Sequence, residues 1–414
     1  MWKNYFKTAY RNLLKNKLYT GINVFGLAIG LSACLLIGIY IMHELSYDAF
    51  NKNADRIVRV TMEYGQDGTV NTTATTGTKV GPQFARTFPS IENYVRTFIR
   101  NNVVKHGEKM FDEPRILYAD SPFFQIFTYP FVAGNAATAL DAPDKIVITK
   151  TTAEKYFPEV QSQGYSAALN KTLTIGEKDL KVTGVCEDAP NNSQLKFDFV
   201  TAFSNLGNNV KGETWWTANW ITYFLLKDAN NIEQLQQKIT AYMKTPEIKA
   251  DAGIEGNDYL TFHLEPLKKV HLYSSLAGFE PNGSIKFIYL FAIIAMLILL
   301  IASANYTNLS TAQSSGRTAE IGMRKVLGAS KKQVFVQFMA ESFLLGFIAA
   351  ICALMISLFL IPLFNEATGI EFSRHILFEP IPLLSLFCIT LFICILAGLY
   401  PAFILAGTQV MGIL

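Results

Sequence analysis

The residues best placed to act on something outside this chain are charged ones set between two apolar runs. Arg317, Glu320, Ile321, Gly322, Arg324, Lys325, Leu327, Gly328, Ala329 and Ser330 all lie in one short connector. Glu320 and Arg324 are spaced i,i+4 with the acid first, the orientation that supports a helix. Arg324 and Lys325 fall near the end of that helix, where positive charge suits the macrodipole. Gly328 can take the left-handed conformation that closes a helix. Ser330 with Gln333 three residues on reads as a capping box that opens the next one. The chemistry this pattern offers is docking, through a compact basic helix and tight turn at a membrane surface. On chemistry alone, a basic loop that merely sets membrane topology explains the same residues equally well.

Other chemistry is sparse. The 414 residues contain no G-x-x-x-x-G-K-[ST] loop, so no nucleotide site or other cofactor is expected within them. His43, His106, His263, His271 and His375 are scattered without a Cys/His cluster, and no metal site is expected. No G-x-S-x-G elbow appears, and no basic tract with interleaved aromatics suggests nucleic acid. Cys34, Cys352, Cys388 and Cys394 sit in apolar runs, while Cys186 reads as a buried small hydrophobe in a strand. No disulfide framework is implied. His43 and Glu44 are expected at a solvated helix end. Glu341 lies just inside an apolar run, where snorkelling or pairing with Lys331, Lys332 or the amino-terminal basic segment accounts for it.

The elements that must position these residues are read from hydropathy. Half of the residues are hydrophobic, and the net charge is only +3. Residues 1–18 carry Lys3, Lys7, Arg11, Lys15 and Lys17 without an acid, interleaved with Trp2, Phe6, Tyr10, Leu13 and Leu14, which predicts an amphipathic helix in the headgroup region. Gly21 to Met42 is uncharged and gives ~33 Å of helix, enough to span a bilayer, so 20–43 is the first predicted span. Gly26 and Gly30 form a G-x-x-x-G pair, taken as ordinary membrane-helix glycine. The second span with its polar extension is 285–316, followed by the connector 317–332. The third span is 333–364, the loop 365–382, and the fourth span 383–406. Almost no polar groups are expected inside these spans.

Residues 44–284 form one large polar region. Arg56–Glu63 reads as a strand, Gly77–Phe88 as a helix and Ile91–Arg100 as a strand. Near the other end, Trp220–Lys227 is a strand, Asn231–Lys244 a helix with Asn231 as cap, and Tyr259–Leu267 a strand. Two such β-α-β units predict a ferredoxin-like split domain. The insertion, about 111–217, holds strands at Lys145–Thr149, Lys171–Ile175, Leu180–Cys186 and Leu195–Thr201, with a turn at Asp188–Asn192. The fold class is therefore membrane α-helical, four transmembrane helices with a large α+β domain whose insertion is β-rich. Basic residues crowd 1–18 and 317–332, while Glu366, Glu371 and Glu379 face a single Arg374 in 365–382. The positive-inside rule then places both termini and the connector in the cytoplasm and the large domain outside it.

Several stretches together resemble a known family. They are Trp2–Lys7 with Arg11–Lys17, Glu44–Asp48, Asp55–Val60, Asp188–Ser193 through Phe197-Asp198, Glu320–Ser330 and Ala397–Ala402. The chain resembles the MacB/FtsX-type permeases of ABC transporters, in the version common among Bacteroidetes. The resemblance covers essentially its full length. It implies a bacterial inner-membrane protein whose large domain is a periplasmic, porter-like domain. It also implies a cytoplasmic ABC ATPase as partner, carrying the ATP–Mg, with 317–330 as the coupling helix docked on it. The chain itself would not be the enzyme. The output implied is efflux of amphiphilic or antimicrobial compounds, or else lipoprotein release, or regulation of a periplasmic cell-wall hydrolase. Many relatives carry the pattern twice, so a second permease copy or a second half is expected beside it, along with a periplasmic adaptor or substrate protein and the lipid bilayer.

Overall fold

The computed structural model describes residues 11–315 except 12 and 16, then 323, 326 and 328–407. The chain divides into two units, one made of Met1–His43 with Lys286–Leu414, the other of Glu44–Ile285.

The first unit is built on long apolar helices, Lys17–Leu45, Ile285–Ser315, Lys331–Thr368 and Pro380–Gly407. All four are long and apolar enough to cross a membrane. Their packing relies on small residues. A Cβ at Gly30 would lie 2.9 Å from that of Ala302, and one at Gly26 would lie 3.1 Å from Asn305 Nδ2. The G-x-x-x-G pair is therefore a helix-packing face and not incidental glycine. Without a hydrophobic force between helices in lipid, such close approach supplies the van der Waals contact. Gly346 and Gly398 serve the third and fourth helices in the same way, against Cys394 and Ser342.

The expectation of few buried polar groups needs correction. Asn23, Ser32, Gln337, Ser342, Ser357 and Thr390 are buried, and the Ser32 and Ser357 hydroxyls meet at 2.9 Å. These residues occur singly in apolar runs, so hydropathy averages them away. Glu341 accepts a hydrogen bond from Gln337 Nε2 on its own helix at 3.2 Å. The stretch expected as a loop, 365–382, is largely structured. The third helix runs to Thr368, Arg374–Phe378 forms a 3-10 turn, and the fourth helix starts at Pro380. Asn365 brackets the backbone of Phe372, donating to its carbonyl at 3.0 Å and accepting from its N–H at 3.2 Å.

The second unit is one eleven-stranded sheet with helices. Its strands are β1 (Ile57–Gln66), β2 (Thr69–Thr73), β3 (Ile91–His106), β4 (Lys109–Ala119), β5 (Phe131–Gly134), β6 (Lys145–Thr149), β7 (Thr172–Ile175), β8 (Lys178–Cys186), β9 (Phe199–Ala202), β10 (Ile221–Leu226) and β11 (Tyr259–Pro266). The order is β11-β1-β10-β3-β4-β9-β6-β8-β5, with β2 on β1 and β7 on β3 and β8. The first four strands pair antiparallel. Taken as strands one to four of a split β-α-β fold, they stand in the order 4-1-3-2, the ferredoxin-like arrangement. Helices Val80–Thr87 and Ile232–Met243 cover one face through Val80, Phe84, Leu235 and Ile239, packed on Val58, Val60, Phe224 and Phe262. Asn231 stands at the N-cap of the second of these helices without a side-chain cap hydrogen bond, and Asp228 caps the 3-10 turn just before it by accepting from Asn230 N–H.

The insertion expected at about 111–217 is not a detached lobe. β3 and β4 form a long hairpin that carries the sheet outward, and β4 then pairs parallel with β9. Charges and Pro114 interrupt the alternation of β4, which hid it in the sequence. Cys186 is fully buried, its thiol directed at the Ile148 carbonyl.

One side of β11 is closed by a side chain. Gln236 donates to the Phe262 carbonyl and accepts from Leu264 N–H, both at 2.8 Å. It fills two ladder positions as a neighbouring strand would, a device that blunts a sheet edge. Gln236→Ala is expected to lower unfolding free energy by about 1–3 kcal/mol, because two backbone groups lose their partners. Gln236→Glu, which keeps only the acceptor, should fall between. Equilibrium unfolding of the detergent-solubilised protein measures both.

Candidate functional site

Most of the predicted docking stretch lies outside the described residues: Arg317, Glu320, Ile321, Gly322, Arg324, Lys325 and Leu327. Its described part behaves as the residue types suggest. Met323 and Val326 are helical, and both are about two-thirds exposed, at 65% and 66%. Gly328 has φ +95°, and Ala329 follows it outside any helix. Ser330 accepts from Gln333 N–H at 3.3 Å while the Gln333 side chain accepts from Ser330 N–H at 2.9 Å, a complete capping box.

The sheet domain carries a second candidate, at the two places where the chain enters and leaves it. The inbound segment is Glu44–Asn53 and the outbound segment His271–Gly283. Between them sits the turn 190–196. Asp48 has φ +56°, which a non-glycine residue adopts at a cost. Its N–H donates to the Asn192 carbonyl at 2.8 Å. The Asn192 side chain donates to the Ser46 carbonyl at 3.1 Å and to its hydroxyl oxygen at 3.0 Å. Asp48 Oδ1 accepts from Gln194 N–H at 3.0 Å and from the Ser193 hydroxyl at 3.3 Å.

Gln194 then reaches the outbound segment. Its side-chain nitrogen lies 3.3 Å from His271 Nδ1 and 3.3 Å from Asn282 Oδ1. An amide nitrogen only donates, so Nδ1 accepts and the ring proton of the neutral histidine sits on Nε2. That proton is donated to Glu44 Oε2 at 3.0 Å. Tyr47 stacks on the same imidazole, ring centroids 3.6 Å apart. Asn282 turns back to donate to the carbonyls of Ser274 and Leu276 at 3.0 and 2.8 Å. Gly283 is required here, since a Cβ would come within 2.6 Å of Glu44 Oε2 and 2.9 Å of His271 Nε2.

Two ion pairs flank this cluster. Arg59 on β1 is fully buried, pairs with Glu265 at 2.7 Å and donates to the Ser274 hydroxyl at 2.9 Å. Lys196 meets Glu280 at 3.1 Å. Glu44, Tyr47, Asp48, Ser193, Gln194 and His271 are all buried. Burial pushes the Asp48 carboxyl up to about 7, against the lowering pull of Gln194 N–H, the Ser193 hydroxyl and Lys196. Burial, followed by the charges of Glu280, Asp48 and Glu44, holds the Tyr47 phenol well above its usual range.

The arrangement forms a clasp. Contacts from one turn grip both chain segments, so a pull on either is shared by the other. Sequence reasoning took His43 and Glu44 as a solvated helix end, and that is corrected. Glu44 is buried on His271, and the His43 ring packs edge-on to Phe372 within the helical unit, centroids 5.2 Å apart. His271, Gln194, Asn282 and Arg59 escaped notice as site residues because their partners lie far off in sequence. The available signal was that Glu44–Asp48 and Asp188–Ser193 are both short, polar and turn-like.

Comparison with known proteins gives these features a setting. Residues 20–242 match the MacB-like periplasmic core domain family, and residues 292–410 match the FtsX-like permease C-terminal family. The chain belongs to this family and is a MacB/FtsX-type ABC permease. It is 22% identical over 412 residues to the macrolide export ATP-binding/permease protein MacB of Photorhabdus laumondii, covering 95% of this chain and 58% of that one. It is 24% identical over 289 residues to the protein of the same name in Salmonella paratyphi A, covering 68% and 40%. The chain thus spans between 40% and 58% of the length of these curated relatives. Among solved structures, it is similar to a domain assigned to a permease protein of Porphyromonas gingivalis, with 20% identity, TM-score 0.44, and 58% and 98% covered. The periplasmic region of MacB from Actinobacillus actinomycetemcomitans gives 13% identity, TM-score 0.33, and 51% and 90% covered.

Gln194→Ala strips donors from His271 and Asn282 together. It is expected to destabilise the protein by about 1–3 kcal/mol, while Lys196→Ala at the partly exposed rim pair costs less than about 1 kcal/mol. Thermal unfolding of the two variants side by side checks the contrast.

Proposed function

We propose that the chain is the membrane subunit of an ABC-type complex, converting ATP hydrolysis on a cytoplasmic ATPase into movement of its sheet domain in the periplasm. The carrying observation is that the basic connector 317–332 falls inside the region matching the FtsX-like permease family. Both termini and that connector then face the cytoplasm, as the excess of Lys and Arg in 1–18 and 317–332 favours. Arg324 and Lys325 meet acidic groups of the ATPase, and exposed Met323 and Val326, three residues apart, supply apolar contact. Gly328, Ala329 and Ser330 shape the turn. The ATP–Mg sits on the partner, and a second permease copy or half completes the membrane part.

The clasp is where motion reaches the sheet. The chain passes from the helical unit into the sheet domain at 43/44 and returns at 285/286. Displacing either helix end loads the 190–196 turn and, through Arg59 and Glu265, strands β1 and β11. The cargo is an amphiphilic or antimicrobial compound, in keeping with the macrolide export named for the relatives.

Copurification tests the coupling. Wild-type protein should bring down a P-loop ATPase, and Arg324→Glu with Lys325→Glu should lose it while unfolding at the same temperature. Wild-type protein that brings down no ATPase ends the coupling reading. Deletion of the gene should raise sensitivity to amphiphilic antibiotics. A chain-forming division defect without that sensitivity would point instead to control of a cell-wall hydrolase, and accumulation of unreleased lipoprotein to lipoprotein transfer.

A further inference from the structure

We propose that the clasp around Asp48 is a proton-operated latch, closed when the Asp48 carboxyl carries a proton and released when it ionises. The inference concerns the sheet domain alone and does not depend on which ATPase or cargo the permease serves.

The geometry makes the two oxygens of Asp48 unequal. Oδ1 is held by Gln194 N–H and the Ser193 hydroxyl. Oδ2 is buried without a protein hydrogen-bond partner among the described residues, and the whole residue is 2% exposed. An ionised carboxylate in that position leaves charge on a buried oxygen that no protein donor meets, which is strongly unfavourable. A proton on Oδ2 removes the charge and leaves both bonds to Oδ1 in place. The left-handed backbone at Asp48, tied to the Asn192 carbonyl, keeps the carboxyl facing inward.

The surroundings do not rescue the anion. Glu44 and Tyr47 lie on the same segment, and Glu44 is engaged by His271. From the turn comes Lys196, already paired with Glu280 of the outbound segment. From the sheet domain core come the phenols of Tyr129 and Tyr223, both feeling the Asp48 charge and both held far above their usual range, chiefly by burial. Arg59 is committed to Glu265. Burial accordingly dominates and lifts the Asp48 carboxyl to about 7, while Lys196 pulls the other way.

Water reaches Oδ2 when the 190–196 turn swings away. That movement takes Gln194 from His271 and Asn282, so ionising one carboxyl frees inbound and outbound segments together. The sign follows from linkage. The folded value of about 7 lies above the ordinary ~3.9 of an unfolded Asp. The contribution to stability is therefore complete below pH ~4, is lost progressively as pH rises from there, and is gone once pH has passed through about 7.

Hydrogen–deuterium exchange of the full-length protein in nanodiscs, corrected for intrinsic rates, reads the latch directly. Protection of the 188–198 segment should fall about tenfold between pH 5 and pH 6 and level off above about 7. Asp48→Asn should be flat over that range, and Glu44→Gln should retain the fall. Lys196→Ala, at the rim, should move the transition to higher pH because a cation near Asp48 is gone. Flat wild-type protection overturns the proposal, as does a fall that survives in Asp48→Asn or moves to Glu44. Should Asp48→Asn fail to fold, an unmoved transition in Lys196→Ala overturns it equally.

Discussion

One residue, Gln194, ties the segment on which the chain enters the sheet domain to the segment on which it leaves, beside the direct contact of Glu44 with His271. Its backbone N–H holds Asp48, and its side chain serves His271 and Asn282. The physical constraint behind it is that both segments cross between units of different character within a few residues. Their backbone and side-chain polar groups are buried there, and each buried group needs a partner. Because one turn supplies most of those partners, the two segments cannot be displaced independently. The ferredoxin-like strands inherit this tie through Arg59 on β1 and Glu265 on β11, which reach into the same outbound segment.

The membrane unit meets a related problem with opposite means. Its helices bury polar side chains only singly within apolar runs, so specificity comes from small residues and from isolated amides and hydroxyls. Gly26 and Gly30 set the approach of the first two helices, and Ser32 with Ser357 links the first to the third. A hydroxyl pair in an apolar interior fixes rotation and depth more than it adds stability.

Much of this was legible in the sequence, and the failures share a cause. Periodicity found the split β-α-β core, because alternating strands such as β1 and β10 and the helices over them advertise one apolar face. The capping box at Ser330 and Gln333 was legible because its grammar is local. β4 was not, since Pro114 and its neighbouring charges break the alternation and a partner strand, not propensity, makes it extended. The clasp was invisible for a stronger reason. Glu44 and His271 look like any polar residues until folding brings together positions more than two hundred residues apart. Its two ends sat in motifs that already carried the family resemblance, but no rule of spacing joins them.

The strand order also dictates when the sheet domain can be completed. β1 is synthesised first and pairs with β10 and β11, which are synthesised last. β2 pairs with β1 at once, but everything from β3 to β9 must exist before β1 finds β10 and β11. Contacts of such separation are slow to form because a long loop must close first. The inserted strands, with their own core of Ile146, Ile148, Val182, Val185 and Phe199, can gather while β1 waits. The outbound residues His271 and Asn282 emerge later still, so the clasp is the last part of the domain to close. A nascent chain thus keeps its inbound segment open until the sheet is whole, and closure of the clasp reports that the domain has been built.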